Sequence, residues 1–82
     1  MPENELKQKI EASTFRKIIK HLQENKDLQN IDLMNLAGFC RNCISKWYME
    51  SSKEYGDEMD YDEAKKIVYN MPYSEWKQKY QK

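Results

Sequence analysis

The sequence predicts a small all-α domain, a compact array of about four helices around a long central apolar helix. Three observations carry that expectation. Apolar residues recur at helical spacing in four separate stretches, and no β-branched alternating run of strand length occurs. Only two glycines and two prolines punctuate the 82 residues, too few for the tight turns of a β-sandwich. Aromatic residues make up 12% of the chain, which sets it apart from disordered sequences despite its 34% of charged residues.

Residues 1–12 read as a polar N-terminal arm ahead of a single helical domain over 13–82. In the arm, Leu6 and Ile10 lie one turn apart but project off the stripe of the helix that follows, so the arm is expected to be loosely attached, frayed or helical. Ser13 or Thr14 is the expected N-cap of helix one. Its apolar stripe is Phe15, Ile18, Ile19 and Leu22, and it ends near Asn25. After a polar connector, Asp32 is the expected cap of helix two, with Ile31 stapled onto Leu36. Leu33, Leu36, Ala37, Cys40, Ile44 and Trp47 form its band, widened by Met34, Phe39, Cys43 and Tyr48 to half the circumference or more. So wide a band must be covered on more than one side. Gly38 costs about 1 kcal/mol in a helix interior, so a close neighbour is the expected reason for it. Asp60 and Glu63 have the spacing of a capping box at the start of helix three, whose stripe is Ala64, Ile67, Val68 and Met71. Pro72 ends it. A last short helix starts near Tyr73 and sets Tyr73, Trp76 and Tyr80 on one face.

Charge narrows the function classes. Fourteen basic and fourteen acidic residues give a net charge of zero, which argues against a dedicated nucleic-acid binder. The longest apolar stretch, Leu36 to Cys40, is far short of the ~20 residues of a membrane span. The acidic opening Met1-Pro2-Glu3-Asn4-Glu5 runs into no apolar segment, so no signal peptide is expected, and the setting reads as cytoplasmic.

Cys40 and Cys43 bracket the one constellation with chemical potential, Cys40-Arg41-Asn42-Cys43. A disulfide between residues so near in sequence restrains little of the unfolded chain, so it is no structural staple. Packing is the leading explanation, since reduced Cys behaves as a small hydrophobe. A zinc site would add His21 to Cys40 and Cys43 and still want a fourth ligand, from an acid or a second chain. A thiol-redox pair would need a helix N-terminus, whereas the expected helix two holds the pair two turns inside. His21, the single histidine, sits at the edge of helix one's stripe and is expected to make an ordinary hydrogen bond. Six acids between Glu54 and Glu63 lack the glycine register of a calcium loop and read as a solvated turn. Arg16, Lys17 and Lys20 form a small basic face, a weak alternative route to RNA.

The string from Gln29-Asn30-Ile31-Asp32 through Cys40-Arg41-Asn42-Cys43 into Ser45-Lys46-Trp47-Tyr48 resembles domain-of-unknown-function family 1244. Glu63-Ala64, Ile67-Val68-Tyr69, Met71-Pro72-Tyr73 and Glu75-Trp76-Lys77 resemble it too, so the likeness covers nearly all of residues 14–81. The resemblance implies a small bacterial all-helical protein in a cytoplasmic setting; it implies no activity. Asn35, Gly38, Arg41, Asn42 and Lys46 belong to its hallmark positions and are hard to explain by packing alone. Taken with an expected helical domain over 13–82, below the ~80 residues at which one core usually suffices, they are the expected interaction surface. The sequence thus leads to a homodimer or a partner-protein module with the exposed flank of helix two near the two-fold axis. No cofactor is expected, zinc being the alternative.

Overall fold

The computed structural model describes residues 2–82, so Met1 of the expected arm lies outside the described residues. The chain is all-α, with α1 (Pro2–Glu24), α2 (Asn30–Ala37), α3 (Arg41–Glu54), α4 (Tyr61–Tyr69) and α5 (Tyr73–Tyr80). α1 runs unbroken through the position expected to hold its cap. Thr14 is mid-helix, and its hydroxyl donates back to the Ile10 carbonyl at 2.8 Å, the usual occupation of an interior threonine. Side chains from Asn4 to Thr14 are exposed, and the buried stripe consists of Ile19 and Leu22 with Phe15 half-buried; Ile18 faces water.

The expected continuous rod is two helices. Gly38 adopts φ +79°, the left-handed conformation, and its amide donates to the Met34 carbonyl at 2.9 Å, which closes α2. This is the favoured way for a glycine to stop a helix, since any residue with a Cβ pays about 1–2 kcal/mol there. Nothing lies within 4 Å of where a Cβ would stand on Gly38, so the backbone conformation and not a close neighbour accounts for the residue. Phe39 and Cys40 then run extended, and the Cys40 carbonyl accepts from the Ile44 amide at 3.1 Å as the first bond of α3. Gln29, not Asp32, is the N-cap of α2, and Ile31 and Leu36 are 64% and 88% exposed, so the expected staple covers neither.

α4 is the central element, packed against α3, α1 and α5. Its cap is the expected one: the Asp60 carboxylate accepts from the Glu63 amide at 2.8 Å. Asn70, at φ 57°, ends it one residue short of Met71. Ala64 and Val68 are buried as the periodicity requires, joined by Tyr69. Ile19, Leu22, Ile44, Val68, Tyr69 and Trp76 form the core, with Phe15, Leu33, Phe39, Met71, Tyr73 and Tyr80 around it. Gln23 closes α1 onto α4 by donating to the Ile67 and Val68 carbonyls at 3.1 and 3.2 Å.

Candidate functional site

Breaking the rod redistributes every residue of the expected site. Arg41 opens α3 and is 1% exposed. Its guanidinium donates to the Leu22 carbonyl (3.3 Å), the Asn25 carbonyl (3.0 Å), Asn30 Oδ1 (3.1 Å) and the Leu28 carbonyl. Leu22 and Asn25 lie at the C-terminal end of α1, where unpaired carbonyls and the negative end of the helix dipole favour a cation. The same guanidinium lies 5.1 Å from the centre of the Trp76 ring. Burial pulls its pKa below the ordinary value, with Tyr69 and Cys40 acting in the other direction. Arg41 is therefore a rivet between α1, the connector and α3. It is not available to a partner, which corrects its place in the expected surface.

Asn42 also turns inward. Its Oδ1 accepts from the Tyr69 hydroxyl at 2.6 Å, and that hydroxyl accepts from Asn30 Nδ2 at 2.9 Å. The Tyr61 hydroxyl donates to the Asn42 carbonyl at 3.2 Å. A polar chain thus runs from Arg41 through Asn30 and Tyr69 to Asn42, and among the described residues no buried side-chain nitrogen or oxygen is left without a partner. Asn35, Gly38 and Lys46 remain exposed, but on separate elements: Asn35 in α2, Gly38 at its end, Lys46 in α3. The single strip that the continuous helix would have made does not exist.

Tyr69 gives the network a pH signature. Burial pushes its phenol well above the ordinary 10.0, Asn30 and Arg41 partly offsetting the rise. The folded chain thus holds this proton more tightly than the unfolded chain. The resulting stabilisation is complete below about pH 10 and is lost as pH climbs from there through the folded value. We expect Tyr69→Phe to be less stable at neutral pH by about 1–3 kcal/mol. It should also lose less additional stability than the parent between about pH 9 and 11. Urea unfolding midpoints at both pH values check this; equal losses in the two proteins would remove Tyr69 from the account.

His21 is exposed on the last turn of α1, beside an open depression that also takes in Glu24, Asp27 and Tyr80. Among the described residues, no three His, Cys, Asp or Glu side chains converge as a metal would need. The expected zinc set of Cys40, Cys43 and His21 is therefore not assembled. Arg16, Lys17 and Lys20 all face water on α1. Both cysteines are free thiols, Cys40 buried and Cys43 half-buried. They occupy the N-cap and third position of α3, at a helix start and not two turns inside one.

What the sequence did not single out is how bare α2 is. None of its residues is buried, although it carries Ile31, Met34 and Leu36 at 64%, 39% and 88% exposure. Phe39 follows, its ring 5.6 Å from that of Trp47, which is itself 52% exposed. Trp47 also lines a groove of about 580 Å³ between α1 and α3, with Ala12, Phe15, Tyr48 and Tyr55. Ile31, Met34 and Leu36 on α2 and Trp47 on α3 are thus large apolar groups left open to water. A reading of the Leu36 position against the glycine as a stop would have exposed this.

A family model described as "Protein of unknown function (DUF1244)" matches residues 28–82. No curated protein matches the chain. Among the described residues, no helix is long and apolar enough to cross a membrane.

Proposed function

The chain belongs to the DUF1244 family, whose description assigns no activity, and from that premise we propose that it is a self-associating interaction module. The observation that carries the reading is the bare α2: a helix that packs Leu33 against the core and leaves Ile31, Met34 and Leu36 exposed. Large exposed apolar groups gathered on one short helix fit an association site.

A second copy is the occupant the chain itself favours. With 82 residues the chain is close to the ~80 below which a single core rarely stabilises a fold by more than about 3–5 kcal/mol, and burying α2 against a copy adds to it. The net charge is zero, so copies meet without repulsion. A two-fold contact uses one patch twice, so α2 would meet the same helix of the copy. Neither Arg41 nor Asn42 takes part; the exposed flank of α2 lies near the axis.

Light scattering after size exclusion tests this at micromolar concentration. The parent is expected at twice the chain mass, and the double substitution Ile31→Asp with Leu36→Asp at the mass of one chain with an unchanged far-UV spectrum. Both residues are exposed, so the charges themselves cost the monomer little. A parent protein at single-chain mass with a cooperative melt overturns the proposal.

A further inference from the structure

We propose that Cys40 and Cys43 form a dithiol that exchanges with a low-molecular-weight disulfide of the glutathione type, Cys43 attacking and Cys40 resolving. This goes beyond self-association and does not depend on it. Of the two grounds for setting thiol chemistry aside, the absence of a βαβ unit among the described residues stands, but the pair is not lodged inside a long helix. Cys40 is the N-cap of α3, on extended backbone at φ −138° and ψ −174°, and Cys43 is in the first turn of a helix of 14 residues. No side chain caps α3. At a position where Ser, Thr or Asp would usually accept from the first-turn amides, the sequence puts a sulfur that makes no such bond.

Three further features fit exchange better than packing. The two sulfurs are unequal: Cys40 is 6% exposed while Cys43 is half-buried and reachable. That division supplies one thiol to meet a reagent and one kept from it until the first bond has formed. A hydroxyl also stands beside the pair: that of Tyr61 donates to the carbonyl of Asn42, which lies between the two cysteines in sequence, at 3.2 Å. The two residues are also neighbours at one end of a helix: Cys40 is the N-cap of α3 and Cys43 lies in its first turn, and a disulfide between them brings their β-carbons to about 3.5–4.5 Å.

The exchange balances without any other reactant. The Cys43 thiolate attacks one sulfur of the disulfide RSSR, forming a Cys43–SR mixed disulfide and releasing RS⁻, which takes up the proton Cys43 gave up. The Cys40 thiolate then attacks Cys43 Sγ, forming the Cys40–Cys43 disulfide and releasing the second RS⁻, protonated in the same way. Two thiols of the protein are oxidised and one RSSR is reduced to two RSH.

Intact-mass analysis of the native reduced chain, treated with glutathione disulfide and quenched in acid, tests this. The parent is expected to lose both thiols without carrying an adduct. Cys40→Ser should accumulate one stable glutathione adduct on Cys43, and Cys43→Ser should remain unmodified while folded; serine at position 40 is itself a good cap. Far-UV spectra confirm that each variant is folded, and the parent alone decides if one is not. A parent that keeps a mixed disulfide, links chains together, or reacts only in denaturant overturns the proposal. Catalysed reduction of insulin with dithiothreitol as electron source, without reaction with glutathione disulfide, would overturn the choice of a small disulfide in favour of a protein one.

Discussion

Arg41→Met is expected to destabilise the fold by about 3–5 kcal/mol, the scale of leaving several buried polar groups unpaired. Met matches the length of the stem and fills the space, so the loss reads the polar contacts and not a cavity. The carbonyls of Leu22 and Leu28 and the side chain of Asn30 lose a donor, whereas the Asn25 carbonyl keeps the Leu28 amide at 3.1 Å. With each kcal/mol worth about 4–8 °C in a domain of this size, thermal melts followed by far-UV circular dichroism should shift down by about 20 °C or lose cooperativity. Arg41→Lys restores the charge but not the planar fork that reaches four acceptors, so it should recover only part of the loss. A change below about 1 kcal/mol for Arg41→Met would mean that water replaces the guanidinium at no cost.

Trp76→Ala is expected to cost a similar amount, about 3–5 kcal/mol, by a different route. Trp76 is 2% exposed and is the hub of the aromatic set, with the Tyr69 ring at 5.0 Å and those of Tyr73 and Tyr80 each at 6.4 Å. It is also the ring beneath Arg41. α5 has 8 residues, well under the about 12–15 that an isolated helix needs in water. Once its anchor is gone, α5 should come off the core before α1, α3 and α4 unfold. Limited proteolysis is then expected to cut first within 70–82, with the far-UV signal falling by roughly the share of α5. Trp76→Phe keeps an aromatic body in the site and should hold α5 in place. Uniform cleavage along the chain would show instead that the five helices stand or fall together.

Local signals made some elements legible in the sequence. The Asp60–Glu63 spacing marked the start of α4, Pro72 marked the boundary before α5, and the periodic Ala64 and Val68 were found buried. The central segment was misread because apolar spacing continues across Gly38 as if the backbone did. Periodicity counts side chains and is blind to a single left-handed residue; the physical cue was a glycine directly after an apolar helix, which ends helices far better than it serves inside one. Arg41 was placed at the surface for the ordinary reason that charges are seldom buried. What overrides that rule is the end of another helix, whose carbonyls can solvate a guanidinium in place of water, and no local pattern announces that meeting. Tyr69 was missed for a related reason: its burial depends on Asn30 and Asn42, each supplied by a different helix. Of the expected site, the cysteines moved from the interior of a helix to its start.

The rivet at Arg41 also bears on the order in which the fold assembles. Its four acceptors lie 11 to 19 residues upstream, whereas Gln29 reaches the Tyr80 carbonyl across 51 residues and Gln23 reaches Val68 across 45. Loop-closure entropy grows as the logarithm of loop length, so closing the longer loops costs about 1 kcal/mol more than the shorter ones. The Arg41 contacts and the packing of α4 on its neighbour α3 can therefore form early, leaving the closures that reach the C-terminal end to come late.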